Sequence, residues 1–194
     1  AAMGNASSIT IDENNPYFAI ENGIIYNADY TKIIKALTLP ENYVMKSTVT
    51  EIGKYVFSGN TTVKTATISN SVTAISYGAF YGCSALESVA LPEGLVDIDY
   101  ASFENSGIKS INLPSTVKYI SSQAFKDCGN LASVSLNEGL EYICSHAFEN
   151  SGVTSIIIPD SVVEVDYKAF YNCDSLTNVV IGSGVGELTS SNFA

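Results

Sequence analysis

Seven phenylalanines recur along the chain at a nearly constant interval. Phe57, Phe80, Phe103, Phe125, Phe148, Phe170 and Phe193 are separated by 23, 23, 22, 23, 22 and 23 residues. Other columns keep the same register. Five positions before each Phe stands Ile52, Ile75, Ile98, Ile120, Ile143, Val165 or Leu188, and three before that Val49, Val72, Leu95, Val117, Leu140, Val162 or Val185. The other half of each unit reads apolar-x-x-apolar-x-apolar, as in Leu86, Val89, Leu91 and Leu131, Val134, Leu136. Where the period shrinks to 22, Phe103-Glu-Asn-Ser-Gly and Phe148-Glu-Asn-Ser-Gly reach the next apolar residue one step early, so the deletion falls in a turn.

One such unit cannot fold alone. Burying its apolar side chains yields ~10–20 kcal/mol gross, whereas ordering its backbone costs roughly 1–2 kcal/mol per residue. Stacking is the remedy, because each unit covers its neighbour's apolar edge and the core runs on through a solenoid. Pro92, Pro114 and Pro159 directly after the apolar triplet end a short strand. The Tyr77-Gly-Ala-Phe-Tyr-Gly type of segment reads as a single helical turn or a turn-rich corner.

Leu86-x-x-Val89-x-Leu91-Pro92, then Leu95-x-x-Ile98, then Ser102-Phe103 resembles the bacterial BspA-like leucine-rich repeat, a family with the same Ala-Phe pair, turn Cys and strand-ending Pro. The likeness covers roughly residues 46–194. It departs at Val56, Ser102 and Asn192, where the family favours Ala, and looser packing is expected there. The fold class implied is an α/β leucine-rich repeat solenoid, strongly β-rich, with short parallel strands stacked at the 22–23 residue period.

The amino-terminal part has another rhythm. Ala6, Ile9 and Ile11 echo a repeat strand. Asn22-Gly23 is a two-residue hairpin turn between apolar runs, and a second turn near Asn27-Ala-Asp29 leads to Ile33-Ile34. This meander also resembles a hairpin insertion of the BspA-like family. The organisation expected is one solenoid over 1–194: residues 6–45 a partial repeat with a β-hairpin insertion, residues 46–194 regular repeats, the last incomplete. Both ends read as cut from a longer array, with end-to-end contact through the open ends as one option.

Composition narrows the function classes. Twenty acidic residues face nine lysines and no arginine, a net charge of −11, so nucleic acid is not an expected partner. No apolar run approaches the ~20 residues of a membrane helix. Charged residues are 15% of the total, and the surface is expected to be neutral and polar, as suits an extracellular or cell-surface setting.

Candidate chemistry is sparse. Cys83, Cys128 and Cys173 share one column on alternate rungs. Strands ~4.7–4.9 Å apart put them ~10 Å from one another, beyond disulfide reach, and a shared metal is not expected. Whether Cys144 pairs with Cys128 the sequence does not decide. His146 is the lone histidine and falls in a column occupied elsewhere by Tyr55, Gly78, Ala101, Gln123 and Lys168, which reads as solvent-facing. No Gly-x-Ser-x-Gly and no phosphate-cradling glycine motif is present, so neither catalytic residues nor a cofactor is expected. Asp12-Glu-Asn-Asn15 lacks the spacing of a calcium loop and reads as a turn. Asn5-Ala-Ser7 and Asn60-Thr-Thr62 are sequons.

Recognition, if any, falls to the variable columns. Tyr119 and Tyr142 are expected on adjacent rungs, flanked by Asp97 and Asp99 on one side and Glu164 and Asp166 on the other. Tyr77 and Tyr100 form a second adjacent pair, followed by Tyr167. Such ladders serve either recognition, where tyrosine gives a large amphipathic surface at little entropic cost, or cross-strand packing alone. The residues by themselves give an extended, acidic, Tyr-decorated scaffold; the BspA-like resemblance implies a non-enzymatic binding or adhesion module for a host or matrix protein or a glycan, and the alternative is a passive stalk of a larger surface protein.

Overall fold

The computed structural model describes residues 9–193. Ala6 and the sequon Asn5-Ala-Ser7 lie outside them. A meander comes first: β1 (Phe18–Glu21), β2 (Ile24–Asn27) and β3 (Lys32–Ala36), each antiparallel to the next. Asn22 and Gly23 join β1 to β2 with φ of 50° and 76°, the left-handed pair that a tight hairpin turn requires. No strand forms at Ile9–Ile11. Asp12 instead closes a turn, its carboxylate accepting the Asn14 N–H at 2.8 Å.

From there each turn of the solenoid contributes one strand to each of two columns: β4 (Asn42–Val44) with β5 (Glu51–Ile52), β6 (Thr65–Thr67) with β7 (Ala74–Ile75), β8 (Ser88–Ala90) with β9 (Asp97–Ile98), β10 (Ser110–Asn112) with β11 (Tyr119–Ile120), β12 (Ser133–Ser135) with β13 (Tyr142–Ile143), β14 (Ser155–Ile158) with β15 (Glu164–Val165), and β16 (Asn178–Ile181) alone. All rung-to-rung pairs are parallel and in register, for instance Tyr119 opposite both Asp97 and Tyr142. The meander is continuous with the second column because β3 pairs in parallel with β5.

The apolar columns make one core. The phenylalanines from Phe57 to Phe170 are essentially inaccessible. Their rings, with Phe193, stack at 4.8–5.3 Å, within 8° of parallel from Phe80 onward. Tyr43 closes the amino-terminal end of this spine, tilted on Phe57 at 5.5 Å. Each buried ring contributes roughly 1.5–3 kcal/mol of transfer free energy.

The Ala-Phe corner is built of turns rather than a helix; a 3-10 turn at Ser190–Asn192 is the one helical element among the described residues. Two residues per corner are left-handed. The position two before Phe has φ of 52–61° at Tyr55, Gly78, Ala101, Gln123, His146 and Lys168, and the position two after has 55–72° at Gly59, Gly82, Asn105, Asp127, Asn150 and Asn172. These reversals let alternate N–H groups point along the solenoid. Gly78, Phe80 and Gly82 donate to the carbonyls of Tyr100, Ser102 and Glu104 at 3.0, 2.7 and 2.8 Å, while Ala79, Tyr81 and Cys83 donate three residues back. The buried corner thus satisfies its backbone without helix or strand.

The looser packing expected at three positions is corrected. Val56, Ser102 and Asn192 are as buried as the Ala they replace. The Ser102 hydroxyl bonds the Asp99 carbonyl at 2.6 Å, and the Asn192 amide bonds the carbonyls of Val165 and Asp166 at 3.0 and 2.8 Å, so the polar atoms are paired inside.

The first column breaks into β4-β6-β8, β10-β12 and β14-β16. Both gaps, β8 to β10 and β12 to β14, coincide with the 22-residue repeats. The second column runs unbroken from β7 to β15. It separates from β5, where the Ser76 hydroxyl takes the Ile52 carbonyl at 2.5 Å, whereas on later rungs the carbonyls of Ile75, Ile98 and Ile120 are taken by the N–H groups of Asp99, Ser121 and Cys144.

Candidate functional site

The second strand column carries the outward tyrosines. Because Ile75, Ile98, Ile120, Ile143 and Val165 point into the core, their preceding neighbours Ala74, Asp97, Tyr119, Tyr142 and Glu164 point outward on successive rungs. Tyr119 and Tyr142 stack at 5.2 Å with ring planes 7° apart. Three residues before the Phe column, Tyr77 and Tyr100 stack at 4.8 Å and 26°. Where one column has Tyr the other has a small or acidic residue, so each of the five rungs from Tyr77 to Tyr167 presents one outward tyrosine.

Two members of this strip were not legible as such. Tyr55 meets the Tyr77 ring edge-on at 5.2 Å and that of Tyr81 at 6.4 Å, extending the first stack by a rung. His146 is half-buried instead of freely exposed: its Nδ1 lies 2.7 Å from a Glu149 carboxylate oxygen and its ring stands edge-on to Tyr167 at 5.5 Å. Glu149 also takes Lys126 at 2.8 Å. Burial pushes the Glu149 carboxyl up, but the hydrogen bonds from Lys126 and His146 outweigh it and hold the carboxyl below its usual range. The variety in the His146 column reflects a shared left-handed backbone, not shared exposure.

The four acids predicted beside the tyrosines occupy two environments. Asp99 and Asp166 turn back on the chain, accepting the N–H of Tyr100 and Tyr167 at 2.6 Å. Asp166 also accepts the Ser145 hydroxyl at 2.6 Å, and these bonds hold its carboxyl below the ordinary range. Asp97 and Glu164 flank the tyrosine pair; burial and then the Asp99 charge push Asp97 up. Beyond Glu164 a cleft of about 370 Å³ opens between rungs, lined by Glu164, Asp166, Tyr167, Glu187, Thr189 and Ser191.

The cysteines are all free thiols. Cys83, Cys128 and Cys173 are buried, their Sγ atoms 3.0–3.1 Å from the carbonyls of Phe57, Phe103 and Phe148 one rung earlier. Ser106 and Ser151 fill the same column on the intervening rungs. Among the described residues, no three His, Cys, Asp or Glu side chains converge as metal ligands, and no helix is long and apolar enough to cross a membrane.

With this geometry in hand, the sequence matches the family model described as BspA type leucine-rich repeat region (6 copies), over residues 29–125 and again over 96–194. The chain belongs to the BspA-type leucine-rich repeat family. No curated protein matches it. Solved structures similar to this BspA-type chain include a leucine-rich repeat protein of T. pallidum (24% identity, 86% of this chain and 80% of that one, TM-score 0.74). Others are the pneumococcal vaccine antigen PcpA (20%, 91% and 49%, 0.69) and a leucine-rich cell surface protein of Faecalibacterium prausnitzii (22%, 89% and 56%, 0.62). At these identities the likeness concerns the fold. The BspA-type chain spans about half the length of the latter two proteins.

Proposed function

We propose that this BspA-type solenoid is a non-enzymatic binding module of an extracellular or cell-surface protein, recognising a protein or glycan of a host cell or matrix through its outward face. The observation that carries the reading is the Tyr119–Tyr142 pair, stacked at 5.2 Å on adjacent strands of an unbroken parallel ladder. A rigid backbone presents both rings with little entropy left to lose on binding. The surface setting draws on the family and on the similar structure described as a leucine-rich cell surface protein. The test replaces Tyr119 and Tyr142 together by Ala and compares both proteins on matrix proteins, glycans and cells. At least tenfold weaker binding by the variant supports the reading. Equal binding by both proteins, or binding by neither, leaves the passive stalk as the better account.

A further inference from the structure

The tyrosine strip has a charge pattern that selects among partners. Six lysines form inter-strand or inter-rung ion pairs, with Glu51, Glu21, Glu41, Glu87, Glu141 and Glu149. None of these glutamates lies beside the tyrosine pair except Glu141, which is bound to Lys118. Among the described residues Asp97, Asp99, Glu164, Asp166 and Glu187 take no cation. The strip therefore holds a row of uncompensated carboxylates on both sides of Tyr119 and Tyr142, in a chain whose net charge is −11.

Ring orientation adds a second constraint. Near-parallel rings on adjacent rungs spend one face on each other. The remaining face of Tyr119 looks toward the Asp97 rung and that of Tyr142 toward the Glu164 rung. A sugar stacks on a broad ring face laid open to solvent, and this pair presents edges and hydroxyls there instead. A ring face beside a carboxylate suits an ammonium or guanidinium. The chain's own lysines use its tyrosines in this way: Lys168 lies 4.1 Å from the Tyr171 centroid and 5.4 Å from that of Tyr167, Lys46 4.3 Å from that of Tyr30, and Lys54 5.5 Å from that of Tyr77.

Resting on the binding reading above, we propose that the partner of this face is a basic protein segment in extended conformation, lying along the solenoid axis with one basic side chain on the Asp97 carboxylate beside Tyr119 and a second on the Glu164 carboxylate beside Tyr142. The cleft lined by Glu164, Asp166, Tyr167 and Glu187 holds the second of these side chains. Spacing supports an extended form. Asp97 and Glu164 are three rungs apart, about 14 Å at the usual strand separation, which an extended chain covers in about four residues with both side chains on one face.

The probe is a fluorescent peptide of Arg and Ser with arginine at every fourth position, set against a shuffled peptide of the same composition and a glycan array. The regularly spaced peptide binds more tightly than the shuffled one, and its affinity falls as salt rises. E164Q/E187Q weakens it about fivefold to tenfold, as does D97N combined with E164Q, whereas D174N/E93Q, with the same change in net charge elsewhere, does not. Equal losses in all three variants, or equal affinity for both peptides, overturn the proposal by reducing it to bulk charge. Glycan binding that depends on Tyr119 and Tyr142, without peptide binding, overturns the partner class and leaves the binding module standing. Binding of neither probe, with none to matrix proteins or cells, overturns both.

Discussion

Gly107 packs against Ser84 so closely that a β-carbon on it would fall 2.2 Å from the Ser84 carbonyl oxygen. Gly152 meets the Gly129 carbonyl in the same way at 2.3 Å. Both sit in the two 22-residue repeats, directly after Phe-Glu-Asn-Ser, and their N–H groups bond the carbonyls of Cys83 and Cys128. The lost residue is thus taken up by pressing the turn onto the preceding rung, where only a hydrogen fits.

Gly107→Ala and Gly152→Ala are therefore expected to destabilise the fold by about 1–3 kcal/mol through overpacking. Gly129→Ala, with nothing within 4 Å and no left-handed φ, is expected to be neutral or to stabilise by about 0.4–1 kcal/mol. Urea unfolding of the three variants checks this, and equal midpoints for Gly107→Ala and Gly129→Ala would contradict it.

The ladder gap beside Gly107 has a dynamic consequence. β8 and β10 each have one strand partner, β6 and β12, whereas β9 lies between β7 and β11. Native-state hydrogen exchange should find the amides of β8 and β10 less protected than those of β9 and β11. Uniform protection across both columns would mean that the gap closes in solution.

The thiols should divide three to one. Burial raises the Cys83 thiol to about 12 and the Cys128 thiol to about 11, and raises that of Cys173. At pH 8 these three remain protonated and inaccessible, while the partly exposed Cys144 is the first to react with a thiol reagent. One fast equivalent before unfolding and four after is the expected titration. Because Ser106 and Ser151 already occupy this column, Cys128→Ser should cost no more than about 1.5 kcal/mol.

Acid should weaken one bond near the strip in a predictable sense. The Ser145 hydroxyl, then the Tyr167 N–H, hold the Asp166 carboxyl below its unfolded value. The stability this supplies is complete above the unfolded range near about 3.9 and is lost as pH falls through the lower native value. Ser145→Ala should melt earlier than the natural protein at neutral pH, with the difference shrinking as pH falls below the unfolded carboxylate range. A difference that grows toward acid would refute the assignment.

The Phe spine, the Ile column and the paired Tyr119 and Tyr142 are legible in the sequence because a translational repeat places equal positions over one another. The left-handed corners left a partial trace in Gly59, Gly82, Asn105, Asn150 and Asn172, residues suited to positive φ. The alternation Glu41, Lys64, Glu87, Lys109 is likewise a trace of the ion pairs between rungs that the apolar period does not single out. Tyr55 and His146 escaped, since a side chain's reach along the axis depends on neighbouring rungs and not on its own column.

By itself the sequence determined the period, the buried columns, the turn carrying the deletion and the order of residues along each face, because these follow from repetition and from the need to bury apolar surface. Only the tertiary structure decided that the missing residue opens the first strand column, that the corners run on left-handed turns, and that Tyr119 and Tyr142 spend a face on each other between unpaired carboxylates. Those outcomes depend on ångström-scale contacts between successive rungs. A one-dimensional pattern gives the order of such contacts but not their distances or angles.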